Sequence, residues 1–290
     1  PGAGTGRLMD KQVSPGNPAS VGSEAITLRA SLEGIGLIGP GLDGWQLSAE
    51  LLAGASPYAS RPTVVPAPEL LPPAERRRVG RVVKLALAAG LQATVNARID
   101  AAELAAVFSS SGGDGQNCHE ICLSLTEINP QISPTRFHNS VHNAAAGYWS
   151  IATGAREPSN ALCAHDASFA AGLLEAMAQV VVEQTAVLLV AYDAPYPPPL
   201  SLRRPIPDAF GVALVLKPQA SATSLAQLVI SLCDEPADRM SDTALETLRA
   251  SIPAARCLPL LQELARRRNG RVRLDYLDHR SMAIEVTACH

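Results

Sequence analysis

Aromatic residues are scarce in this chain: Phe, Trp and Tyr together make up 4% of 290 residues. The interior must therefore be built from Ala, Leu, Val and Ile. Hydrophobic residues reach 47%, enough for one large domain or two fused halves. Charge of either sign is also not in excess. The formal net charge is -3 and the pI is about 6.1, which argues against a nucleic-acid binder with a dominant basic footprint. No apolar run reaches the ~18 residues of a membrane span. The best candidate, AMAQVVVEQTAVLLVAY, is interrupted by Gln179, Glu183 and Gln184.

Residues 1–23 lack the apolar segment of a secretory leader. They are rich in Gly, Pro and Ser and are expected to form a disordered tail. The GAGTG within them follows no strand and is not trailed by Gly-Lys-Ser/Thr, so it is no phosphate loop. Six cysteines without secretory context read as reduced thiols of a cytoplasmic protein. Cys118 and Cys122, four apart, suit one helix face rather than a zinc knuckle. No cofactor motif is found and no cofactor is expected.

Strand and helix patterns alternate through most of the chain. AITLRASLEGIGLIGPG is β-rich and ends in Gly/Pro punctuation. Residues 43–54 read as a helix with a Gly stop, and PAERRRVGRVVKLALAAGLQAT as one long amphipathic helix. AELAAVFSSS reads as a strand before the SGGDG turn, followed by a helix over QNCHEICLSLTEI and a loop over NPQISPTRF. A helix is expected over 140–153, a short strand over 159–165 and a helix over 168–183. TAVLLVAYD and FGVALVLKP are continuous apolar runs typical of buried strands. Beyond about residue 220 come a strand in LAQLVISLC, helices over 242–250 and 257–268, and a hairpin turning at Asp278-His279-Arg280. The alternation defines an α/β class.

The chemistry-bearing groups concentrate in FHNSVHNAAAGYWSIATGAREPSNALCAHDASFAAGLLEA, residues 137–176. Cys163 is either an acyl-accepting thiol or a small buried strand residue. His138 and His142 are spaced i, i+4 but lack the Glu of a His-Glu-x-x-His zinc motif, so no metal is expected. Ser168 with His165 could form a nucleophile and base, whereas Asp166 and Ser168 also read as a helix N-cap. The runs Arg76–Arg78, Arg203–Arg204 and Arg266–Arg268 suit either an acidic partner or solvated helix faces.

Residues 26–217 resemble the N-terminal half of a β-ketoacyl synthase, of the thiolase-like fold. The likeness is carried in order by LEGIGLIGPG, VFSSSGGDG, ISPTRFHNSVHNAAAGYWSIATG, SNALCAHDASFAAGLLEA and FGVALVLKP. NSVHNAAAGYWSI and SFAAGLLEA are similar to the ketosynthase-like chain-length factors found beside aryl-polyene and related type II polyketide genes. The resemblance implies a complete N-terminal βαβαβαββ half over 24–220 and a truncated C-terminal half over 221–290.

Two departures from an active condensing enzyme stand out. The nucleophile column falls on Ala164 or His165, with Cys163 upstream of it. The second half has only His279 and His290, in no His-Gly-Thr or Asn-Ser-Phe-Gly-His context. The resemblance therefore implies a non-catalytic subunit that pairs with a ketosynthase, meets an acyl carrier protein and walls an acyl tunnel. Residues 117–128 and 137–149 would form that wall. The helix face Ile121, Cys122, Leu125 and Ile128 recurs at helical spacing and is expected to be buried. Tunnel or interface positions are Ile121, Cys122, Leu125, His138, Asn139, His142, Asn143, Leu162, Cys163, Ala164 and Phe169. The 159–165 strand is expected to pair with its mate across the dimer axis. An active acyltransferase using Cys163 or Ser168, or a scaffold binding a carrier protein, are the alternatives.

Overall fold

In the computed structural model, residue 2 and residues 27–289 are described. The tail expected over 1–23 otherwise lies outside the described residues, as does His290. The chain opens on β1 (Leu28–Gly39), which pairs with the short β2 (Leu42–Asp43). Helices α1 (Trp45–Leu52), α2 (Pro73–Arg76) and α3 (Arg81–Ala97) follow, then β3 (Ala105–Ser109). The segment leading to the elbow holds α4 (Gly115–Leu125), α5 (Pro134–Asn139), α6 (Ala144–Thr153) and β4 (Ser159–Leu162). Then come α7 (Ser168–Glu183), β5 (Val187–Asp193), α8 (Leu200–Arg203) and β6 (Phe210–Lys217). The last third contains β7 (Ala226–Cys233), α9 (Thr243–Ser251), α10 (Leu258–Ala265), β8 (Gly270–Leu277) and β9 (Arg280–Ala288).

Among the described residues, nine strands form one mixed sheet, ordered β4-β3-β5-β6-β1-β7-β9-β8 with β2 beside β1. β3 runs parallel to β4 and β5, and the remaining pairs are antiparallel. β1 is the seam: it pairs with β6 on one side and with β7, the first strand of the last third, on the other. Its apolar residues are buried on both faces, which explains its continuous rather than alternating pattern.

The two faces of the sheet carry separate cores. One face packs α3 and α6 against Ala106, Phe108, Leu188, Val190, Ala213 and Val215. Gly34 and Gly36 allow this, because a Cβ at either would strike the α3 backbone at Ala93 and Ala89. Trp149 of α6 lies edge-on to Phe108, with ring centroids 6.2 Å apart. The opposite face packs α7, α10 and a 3-10 turn at Pro253–Cys257 beneath the curled sheet. Scarce aromatics thus leave a core dominated by interdigitated aliphatic side chains.

Several element boundaries differ from the expected ones. The long helix breaks at Val79-Gly80, where Gly80 takes extended dihedrals and α3 restarts. The loop expected before residue 138 contains α5, begun by Ser133, whose hydroxyl accepts from Arg136 N–H, and Pro134 at the first helical position. The helix expected from 140 begins at Ala144, and the strand expected to reach 165 ends at Leu162. The helix expected over 257–268 is confined to Leu258–Ala265, and Arg267 beyond it takes a left-handed φ of 49°.

Candidate functional site

The elbow joins β4 to α7. After Leu162 the chain passes Cys163 and Ala164 into a 3-10 turn at His165–Ala167. His165 has φ 50°, a left-handed conformation that costs a non-glycine residue energy and marks a tight, over-determined turn. Its side chain is 72% exposed and lines an open depression of about 1450 Å³ between the elbow and the β8–β9 hairpin. Arg204 Nη1 donates to His165 Nε2 at 2.5 Å. Nε2 must then be the lone-pair nitrogen, which puts the ring proton on Nδ1, 3.5 Å from Asp166 Oδ1.

Ser168 is neither a helix cap nor an activated nucleophile. It is the first residue of α7, while Ala167 holds the N-cap position without a side-chain bond. Its buried hydroxyl donates to His165 O at 2.7 Å and accepts from Ala164 N–H at 3.1 Å. Both roles of the oxygen are spent on closing the preceding turn, and the His165 ring is turned toward Arg204 instead. Cys163 is not a buried strand residue. It lies one residue past β4, exposed, with Sγ donating to Ser111 O at 3.4 Å and no imidazole or carboxylate as partner. No neighbouring side chain is placed to take the thiol proton and activate the sulfur as a nucleophile.

Asp166 is held at both oxygens, by Arg204 Nη2 at 2.6 Å and Arg256 Nη2 at 3.0 Å. Arg256 belongs to the Pro253–Cys257 turn, so this clamp fastens the elbow to the last third of the chain. A second tie lies behind it. Asp193, at the buried end of β5, accepts from Ser111 N–H (2.8 Å), Ser111 Oγ (2.7 Å), Ser110 Oγ (3.3 Å) and Ala254 N–H (2.9 Å). Burial pushes this carboxyl up to about 6, against the pull of those donors. Sequence reading missed both ties. The one available signal was an acid ending the apolar run TAVLLVAYD.

The second feature is an apolar surface. Asp114 begins α4 by accepting from Asn117 N–H at 3.0 Å. The face expected to be buried is not. Cys122 is exposed, Leu125 is 54% exposed, Ile121 is half-buried, and Ile128 lies past the helix end at 98% exposure. Leu123, Ile132, Phe137 (65%) and Val141, in the same segment, are exposed apolar side chains as well. α4 packs mainly on α5, and both stand away from the cores, which is why helical periodicity there did not translate into burial.

The histidine segment divides by role. His138 ends up on α5, edge-on to the Tyr148 ring at 6.3 Å. His142 follows the helix and its Nε2 lies 3.0 Å from Leu162 O, so the two are not successive turns of one helix. Asn139 is buried, donating to Arg78 O at 2.9 Å and accepting from Tyr148 Oη at 2.9 Å. Asn143 is the N-cap of α6 but makes no side-chain cap bond. Among the described residues no three His, Cys, Asp or Glu side chains converge as metal ligands. Phe169 points into the chain's own core and Leu162 packs beside that core. Ala164 lines the depression at the elbow. β4 is an edge strand, paired only with β3 among the described residues. Beside it runs a groove of about 580 Å³ lined by His142, Asn143, Ser159, Asn160, Leu162 and Glu175.

The mixed sheet, the strand–turn–helix elbow and the antiparallel β5–β6 closure define a thiolase-like α/β protein whose elbow thiol, Cys163, has no side-chain base beside it. Residues 51–276 match the family described as beta-ketoacyl synthase, N-terminal domain, and the chain belongs to that family. Its fold is similar to a solved structure of the ketosynthase ApeO in complex with its chain length factor ApeC from Xenorhabdus doucetiae. That match has 23% identity and a TM-score of 0.67, covering 89% of this chain and 99% of the other. The ishigamide ketosynthase/chain length factor gives 15% identity and a TM-score of 0.66 over 91% of this chain and all of that one. A third similar structure is AntDE:AntF, described as a type II polyketide acyl-carrier protein in complex with its ketosynthase bound to the hexaketide. It gives 11% identity and a TM-score of 0.69, over 91% of this chain and 100% of that one. No curated protein matches this chain. No helix among the described residues is long and apolar enough to cross a membrane.

Proposed function

We propose that this chain is a non-catalytic chain-length factor that pairs with a ketosynthase in type II polyketide, aryl polyene-like, biosynthesis. The observation that carries the reading is the elbow itself. The strand–turn–helix lies within the residues matched to the family, and its turn holds His165 in a left-handed conformation. Yet position 165 is an imidazole engaged by Arg204, Ser168 is spent on the turn, and Cys163 is base-less. Condensation chemistry then falls to the partner: its thiolate takes the acyl chain as a thioester, the carbanion formed when a malonyl-carrier protein loses CO₂ attacks that thioester carbonyl, and the thiolate departs as the new carbon–carbon bond forms. The matched solved structures are described as ketosynthase/chain length factor assemblies, which supports such a partner. We place the complex in the cytoplasm, consistent with six free cysteines. We also divide the chain into a ketosynthase-like half over 24–220 and a shortened second half over 221–290.

The exposed surface of α4 and α5 and the unpaired edge of β4 are the surfaces such a partner would cover. Apolar patches and open strand edges both cost an unpaired protein through aggregation. In the complex, Ile121, Cys122 and Leu125 would form the far wall of the acyl tunnel. A wall discriminates by overpacking, about 1–3 kcal/mol for a chain forced against it. Co-expression with a cognate ketosynthase tests the pairing. A 1:1 complex that is lost in Ile128→Asp/Phe137→Asp is expected. A stable, soluble, monomeric chain that ignores the ketosynthase would overturn it.

A further inference from the structure

A separate cavity of about 540 Å³ opens between the starts of α3 and α4 and the side of α5, and it shares no lining residue with the depression at the elbow. Four arginines line it, Arg77, Arg78, Arg81 and Arg136, against one carboxylate, Asp114. Arg78, Arg81 and Arg136 each have one acidic partner outside the cavity wall, Glu75 at 2.7 Å, Asp208 at 3.0 Å and Glu120 at 3.6 Å. Each such pair occupies only part of a guanidinium's five N–H donors. Arg77 is in no ion pair among the described residues.

Two features of the backbone add to this. The 17-residue α3 begins in the cavity wall with no side-chain cap and no acidic residue in its first turn. Asp114 does not fill that role fully: its Oδ1 accepts from Asn117 N–H on α4, while Oδ2 packs against Gly80, where a Cβ would fall 2.5 Å away. The volume exceeds that of a bare inorganic ion and lies in the range of small-molecule sites. The hydroxyl-bearing Ser133 and Thr135 complete the rim.

We propose that this cavity binds a phosphate ester, with Arg77 and Arg136 gripping the phosphate and the polar rim receiving the group that bears it. An arginine fork takes carboxylate or phosphate oxygens in pairs, but a phosphate monoester has three free oxygens and so can meet two forks at once, where a carboxylate has only two oxygens to share. The phosphate could be carried by a free metabolite or by the prosthetic arm of a carrier protein. The inference does not rest on the pairing with a ketosynthase, and its test needs none.

The test is calorimetric titration of the full chain with pyrophosphate, with 4′-phosphopantetheine, and with apo- and holo-carrier protein. Saturable one-to-one binding that weakens with added salt is expected for the phosphate probes. Arg77→Ala/Arg136→Ala should lower affinity about tenfold or more, and Arg77→Lys/Arg136→Lys should lose less, since the charge stays and the fork goes. Arg203→Ala, outside the cavity, should bind as the parent does. Arg77→Ala alone, at an exposed position, serves if the double variant does not fold. Binding of free phosphate esters without gain from holo-protein assigns a metabolite. Arg77-dependent binding of holo- but not apo-protein assigns the arm. Absence of saturable binding by every probe, binding unaffected by the arginine variants, or equal affinity for acetate would overturn the proposal.

Discussion

Asp193 Oδ2 accepts from Ala254 N–H at 2.9 Å, joining the end of the buried strand β5 to the turn that begins the last helical segment. Sixty-one positions separate them in sequence. With Arg256 on Asp166, the bond ties the strands and helices before residue 220 to the last third directly behind the elbow.

This tie should give stability a pH dependence. The carboxyl titrates near 6 in the folded chain against 3.8 ordinarily, because burial disfavours its charge. The folded state thus holds the proton in a window where the unfolded state has lost it. The contribution is complete below about pH 4 and is lost as pH rises through about 6, on the order of 3 kcal/mol in all. Asp193→Asn should remove that slope between about pH 4 and 6, and it should lower stability by about 1–3 kcal/mol through the mismatched Ala254 N–H. Urea unfolding of parent and variant across that range measures both. Parallel pH profiles for the two would show that Asp193 does not titrate there.

The left-handed turn at His165 should tolerate glycine and reject branching. His165→Gly is expected to leave stability unchanged or raise it by up to about 1 kcal/mol, since relief of φ offsets the lost Arg204 contact. His165→Val should cost about 1–3 kcal/mol. Thermal unfolding of the two variants distinguishes them, and equal effects would mean the turn is not constrained by its dihedral.

Acyl groups should accumulate only on the ketosynthase. Intact-mass spectrometry of the reconstituted complex is expected to show no adduct on this chain, and Cys163→Ser should leave product formation unchanged. A thioester that disappears in Cys163→Ser would restore the acyltransferase reading. Ser168→Ala should act on stability alone, by about 1–3 kcal/mol, because it leaves Ala164 N–H without its acceptor.

The α4 surface should control product length without affecting the fold of the free chain. Leu125 is half-exposed, so Leu125→Ala and Leu125→Trp should each change its stability by less than about 0.5 kcal/mol. In the complex, Leu125→Trp and Cys122→Phe should shorten the product and Leu125→Ala should lengthen or broaden it, as read by mass. Unchanged lengths with intact complexes would exclude this wall. Leu162→Pro removes a donor from β4 and should abolish pairing; normal co-purification would place the interface elsewhere.

Much of this architecture was legible in the linear order of residues. Continuous apolar runs marked β1, β5 and β6 because strands buried on both faces need no polar alternation, and the Gly/Pro punctuation marked their ends. The hairpin at residues 278–280 and the elbow's location were read from local pattern and resemblance alone. Burial was another matter. Ile121, Cys122, Leu125 and Ile128 have helical periodicity, yet periodicity states only that a helix has an apolar face, not that its own chain covers it. α4 stands off the sheet, so that face meets solvent or a partner. Asp166 and Ser168 looked like a cap and a possible nucleophile because both roles use the same residue types. The tertiary structure separated them: Arg204 and Arg256, 38 and 90 positions away, converge on Asp166, and the 3-10 turn folds the Ser168 hydroxyl back onto His165. Sequence determined which segments could be strands and helices, since propensity and periodicity are local. Structure decided which side chains are spent and which are free, since that depends on groups brought together by the closing of the sheet.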